Sequence, residues 1–186
     1  MADYFSAIFG RTSSQSARQA PNAAQEQVGE AGPTVRYRAG LIADIQHGHA
    51  AASRHVRALL DACRIHNMDA AIVCMRQFAD DFRQIGLLRS VLLYPYLRWA
   101  LERDRVATIQ FKSTCFELER STLLIEAILT DYLHAPWDSD RRRRFVHDVV
   151  RIASLFSHAA RQEISVLLPV YLAPGQYRYV VSAASV

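Results

Sequence analysis

The sequence SHAARQEISVLLP, residues Ser157–Pro169, decides the fold of this chain. It places His158 and Glu163 five residues apart, ahead of an apolar run that a proline ends. A second stretch, LLRSVLLYPYL from Leu87 to Leu97, carries the same kind of apolar run ahead of a proline, without the histidine or the acid. Both stretches continue patterns in which apolar residues recur every three or four positions, which is typical of a buried helix face.

The same periodicity predicts four long helices, at about residues 39–65, 67–103, 106–134 and 140–172. The connections between them are short, and short connections place successive helices side by side in opposite directions. The sequence therefore predicts an all-α fold, an antiparallel up-down four-helix bundle.

Composition divides the chain into three parts. Residues 1–38 are rich in Ser, Gln, Ala, Gly and Pro and predict a disordered N-terminal arm. The bundle follows at 39–173 and a C-terminal tail at 174–186. No apolar run reaches the roughly 18 residues of a membrane span, Asp3 and the lack of a basic start argue against a secretion signal, and three cysteines show no pairing pattern. We expect a cytoplasmic protein that does not bind membranes.

Charge gives one local feature. The formal net charge is +4, and the basic residues are scattered except for one run at the start of the fourth helix. This run consists of Arg141, Arg142, Arg143 and Arg144. It is either a solvated face or a binding site for an acidic protein partner. Arginines without interleaved aromatic residues do not indicate nucleic acid, so we expect a protein partner and no nucleic acid.

These features resemble the haemerythrin-like (HHE cation-binding) family over about residues 39–172. The resemblance rests on the apolar-proline endings of the second and fourth helices and on the spacing of His158 and Glu163 in the last helix. It implies a bundle in which inward histidines and carboxylates from all four helices hold iron. It also implies metal-ligand positions at His49, His158 and Glu163, although His49 fits equally well as a packed core histidine.

The second and third helices depart from the family pattern. Arg89 and Thr122 stand on their apolar faces, where the family has metal ligands. His49, His158 and Glu163 therefore form a vestigial or weak site. We expect no cofactor in the first case and one weakly bound iron or zinc ion in the second.

Arg89 and Glu163 share one register, because each lies six residues before the proline that ends its run. An inward carboxylate without a cation is costly in a poorly solvated core, and a guanidinium can bind it through two hydrogen bonds. The sequence therefore predicts a core ion pair between Arg89 and Glu163. The alternative is that Arg89 extends along the bundle edge to solvent.

Together these observations predict a non-catalytic haemerythrin-like bundle that acts as a regulatory or protein-interaction module and has lost its di-iron site. The alternative is a metal-binding sensor or storage protein with a reduced mononuclear iron or zinc site. The chain has no Ser/His/Asp arrangement, glycine-rich phosphate loop or Cys-x-x-Cys pattern, so we do not expect an enzyme.

Overall fold

The computed structural model describes residues 35–134 and 137–177, and these ranges contain helices and no strand. The predicted all-α class is confirmed. Within these ranges, five α-helices follow one another: α1 (Leu41–Arg64), α2 (Met68–Leu88), α3 (Tyr94–Ala100), α4 (Arg105–His134) and α5 (Ser139–Gln162). In the described part of the chain, none of these helices has the length and apolar character that crossing a membrane requires.

Two π-helical segments interrupt this pattern, and each ends just ahead of a proline. Arg89–Leu93 joins α2 to α3 in one continuous helical run, and Glu163–Leu167 extends α5 into the 3₁₀ turn Leu168–Val170. Proline has no N–H group, and its ring clashes with the carbonyl four residues earlier in an α-helix. Here the chain bonds five residues back instead: the N–H of Tyr94 donates to the carbonyl of Arg89, and that of Leu168 to the carbonyl of Glu163.

The helix starts follow from capping side chains. Asn67 accepts a hydrogen bond from the N–H of Ala70 at 3.1 Å, and Asp138 accepts one from the N–H of Arg141 at 2.8 Å. Both satisfy backbone donors that have no partner within the helix. These caps place the starts of α2 and α5 within a residue of the predicted positions.

A close contact between α1 and α2 depends on a glycine. A Cβ atom at Gly48 would lie 2.8 Å from Cγ1 of Ile85, which is fully buried. Because Gly48 has no side chain, the two helices come together without displacing Ile85.

The ends of the described chain pack onto the helices. The Tyr37 ring stacks on Tyr171 at a centroid distance of 5.2 Å, and the hydroxyl of Tyr171 accepts a hydrogen bond from the N–H of Arg38 at 2.9 Å. Residues 35–38 of the predicted arm therefore lie against the helical core, because their aromatic ring and backbone find partners there. The rest of the arm, 1–34, and the tail from 178 lie outside the described residues.

Candidate functional site

The buried carboxylate of Glu163 is the centre of the candidate site. Its side chain is 0% exposed, and that of Arg89 is 6% exposed. Arg89 donates two parallel hydrogen bonds to it, from Nε to Oε1 at 3.1 Å and from Nη2 to Oε2 at 2.8 Å. The predicted contact between Arg89 and Glu163 is present with the two-pronged geometry of a strong pair. The alternative of an Arg89 side chain in solvent is wrong, because the carboxylate holds it inside.

Two further helices complete this cluster. His49 of α1 is 2% exposed, and its Nε2 lies 2.9 Å from Oε2 of Glu163. Since an ionised carboxylate only accepts hydrogen bonds, Nε2 carries the proton of this bond. Arg89 also donates from Nη1 to Oγ1 of Thr122 on α4 at 3.4 Å. The cluster of Arg89, Glu163, His49 and Thr122, here the buried ion cluster, thus draws on α1, α4 and both π segments.

The two π segments position the charged side chains. Arg89 and Glu163 are the first residues of their segments, and in each case a proline follows six residues later. π turns often occur at functional sites, where they redirect side chains from the regular helical pattern. The shared register of the two prolines therefore brings the two opposite charges to one level in the core.

Arg89 and Glu163 each favour the ionised form of the other. Burial alone would raise the pKa of Glu163, but the hydrogen bond from His49 and the charge of Arg89 outweigh it and hold the pKa below its ordinary value. Burial would lower the pKa of Arg89, but the charge and hydrogen bonds of Glu163 raise it overall. Both groups consequently remain ionised at neutral pH.

The neighbouring side chains of Tyr94 and Cys115 are protonated at neutral pH. Burial raises the pKa of the Tyr94 hydroxyl and raises that of the Cys115 thiol to about 11. The Tyr94 hydroxyl is buried beside Arg89, yet it has no hydrogen-bond partner of good geometry among the described residues. The Cys115 thiol therefore keeps its proton at neutral pH, and the thiolate is the nucleophilic form.

His158 does not join the cluster, and its predicted inward position is wrong. It lies exposed on α5. Five residues correspond to about 140° around an α-helix, so a helix that buries Glu163 turns His158 toward solvent. Within 35–134 and 137–177, no three His, Cys, Asp or Glu side chains stand close enough together to hold a metal ion.

The arginine run divides into structural and exposed members. Arg141 pairs with Asp131 and with Asp138, each at 2.9 Å, so its guanidinium is already used within the chain. Arg143 forms an ion pair with Asp140. Arg142 and Arg144 are exposed. The acid at the end of α4 that pairs with Arg141 is not revealed by local sequence, and the four-residue partner site stays a prediction.

The sequence analysis assigns no role in the buried ion cluster to Thr122 and none beside it to Tyr94. The only signal was Thr122 itself, a polar residue on the apolar face of its helix. The position of Tyr94 beside the cluster gives no signal in the sequence, because Tyr94 lies within an apolar run.

The site is thus a buried charged cluster in an all-helical protein. Comparisons of the chain with family models, curated proteins and solved structures find no match. The haemerythrin-like resemblance therefore stays a prediction from the residues that carry it.

Proposed function

We propose that this protein is a haemerythrin-like, antiparallel up-down four-helix bundle that acts as a non-catalytic regulatory or protein-interaction module. In this proposal the buried ion cluster takes the place of the family's di-iron centre. The observation that carries it is the full engagement of Glu163, whose two oxygens accept hydrogen bonds from Arg89 and His49.

The order of contacts supports the antiparallel arrangement. From Arg38 to His49, the contacted residue goes back from Tyr171 to Glu163. From Arg83 to Arg89, the contacted residue likewise goes back from Glu126 to Thr122. This is the order that helices in opposite directions produce.

The donor set does not fit a di-iron centre. Such a centre needs several histidines and at least two carboxylates from the bundle core, whereas Glu163 and His49 are the acid and the imidazole of this cluster. A metal cation bound to Glu163 would also have to displace or oppose the guanidinium of Arg89, a cation 2.8 Å from the carboxylate. The proposed function therefore involves no metal.

The exposed surface supports an interaction role, whereas the buried cluster offers little support for catalysis. The cluster is buried, its charges are mutually satisfied, and the nearby thiol and phenol keep their protons at neutral pH. Outside, Arg142 and Arg144 are exposed at the start of α5. These two arginines are the part of the run that we propose contacts a partner.

Quantitative affinity capture from cell extract tests this proposal. We expect Arg142→Gln/Arg144→Gln to lose a reproducible bound protein that the wild type retains. The matched control is Arg54→Gln/Arg76→Gln, which removes the same charge from exposed positions on α1 and α2 and should retain it. Capture of no protein above background by the wild type, or equal loss by both variants, would contradict the proposal.

A further inference from the structure

The outer face of α5 carries a line of cationic and imidazole side chains. They recur at spacings of three, four and seven residues, so they share one side of the helix. All five are exposed: Arg144, His147, Arg151, His158 and Arg161. At 1.5 Å per residue this line, here the α5 stripe, is roughly 25 Å long.

Acidic residues are few along the α5 stripe. The sequence has no Asp or Glu from Val149 to Gln162. The carboxylate of Asp148 accepts a hydrogen bond from the Tyr132 hydroxyl at 2.6 Å and lies 3.6 Å from Nδ1 of His147.

The arginines of the α5 stripe are not held in salt bridges within the described residues. Nε of Arg161 donates to a backbone carbonyl of its own helix at 3.3 Å. Across the two described ranges, no carboxylate forms a salt bridge with Arg144, Arg151 or Arg161. The α5 stripe is therefore a positively charged surface that can attract negative groups.

Apolar side chains flank this surface. Val146 is 46% exposed and Val150 is 45% exposed. Each lies one residue from a member of the α5 stripe, about 100° around the helix. A partner on this face would therefore meet a row of positive charge beside an apolar edge.

We propose that the α5 stripe docks an acidic amphipathic helix of a partner protein, an inference that rests on the interaction role proposed above. Acidic residues at intervals of three and four on such a helix would face the arginines and the imidazoles of the stripe at matching spacing. Its apolar residues would cover Val146 and Val150, as amphipathic helices do in grooves. This apolar edge favours a protein over nucleic acid, whose phosphates are bound by charge alone.

Fluorescence anisotropy with defined probes tests the docking. The first probe is a labelled peptide of about 20 residues, long enough to follow the stripe as a helix, with Glu at intervals of three and four and Leu on the adjacent face. The other probes are a scrambled peptide of the same composition and a DNA duplex of similar length. We expect the patterned peptide to bind at least about tenfold more tightly than either, since specificity requires matched geometry.

Variants locate the binding surface. Arg151→Gln/Arg161→Gln should weaken binding of the patterned peptide by at least about tenfold. The control Arg54→Gln/Arg76→Gln has the same net charge and should change it by less than about twofold. Unchanged helicity by circular dichroism shows that each variant is folded.

Equal binding of patterned and scrambled peptides, equal weakening by both variants, or tighter binding of the duplex would each overturn the docking. The capture assay separates this failure from failure of the interaction role. If peptide binding does not depend on Arg151 and Arg161 while capture still depends on Arg142 and Arg144, the interaction role stands and the docking of an acidic helix along the α5 stripe is overturned. If the wild type neither binds peptide nor captures protein, both proposals fail.

Discussion

Replacing Arg89 with methionine should remove a large part of the free energy of unfolding. The guanidinium supplies two of the hydrogen bonds to a carboxylate that is 0% exposed. Methionine keeps apolar bulk near the site but supplies neither charge nor donor. The variant leaves Glu163 with the bond from His49 alone.

The magnitude follows from the burial of both partners. Removing one member of a buried pair typically costs about 3–5 kcal/mol, because it strands a charge away from water. Replacing both members by apolar residues is often neutral or stabilising. We therefore expect Arg89→Met to lose about 3–5 kcal/mol and Arg89→Met/Glu163→Leu to recover most of that loss.

Urea denaturation at neutral pH, followed by circular dichroism, measures these changes. The chain offers a matched control in Arg83, which pairs with Glu126 at 3.1 Å while its side chain is 43% exposed. Exposed pairs contribute only about 0–1 kcal/mol, so Arg83→Met should be nearly neutral.

Two results would refute this reasoning. One is an Arg89→Met protein as stable as the wild type, or no less stable than Arg83→Met. The other is a double variant no more stable than Arg89→Met, which would mean that the loss came from packing and not from a stranded carboxylate.

Three further outcomes are expected. In urea titrations, Gly48→Ala should destabilise the protein by about 1–3 kcal/mol, because the added Cβ atom overpacks against Ile85. Gly86→Ala should stabilise it by about 0.5–1 kcal/mol, because a Cβ atom there meets nothing within 4 Å. The folded-state pKa of Glu163 is lowered from 4.5, so its ionised form should contribute stability above about pH 4.5 that is lost as the pH falls through the folded pKa. The urea midpoint of Glu163→Gln should therefore fall less steeply with decreasing pH than that of the wild type. Arg141→Gln should lower the melting temperature, because it breaks two ion pairs.

Periodicity was enough to predict the helices, because each buries one continuous apolar face. The pairing of Arg89 with Glu163 was also predictable, since both lie at the same distance from a proline. The π turns that this spacing produces were not predicted. A proline in an apolar run fixes where the helix must change, but not whether it kinks, ends or widens.

The errors concern directions and long-range partners. His158 was placed inward although a rotation of about 140° from Glu163 exceeds the width of the buried face. The pairing of Arg141 with Asp131 is not predicted, because Asp131 belongs to another helix and lies ten residues away. Such contacts depend on how helices pack, which local spacing does not encode.

Elemental analysis of protein purified without a tag tests the central claim, that the buried ion cluster stands where a di-iron centre would be. We expect far less than two irons per chain, and helical circular dichroism that survives a strong chelator, because the core is held by apolar packing and the pair of Arg89 with Glu163. Stoichiometric iron together with unfolding on chelation would contradict the account.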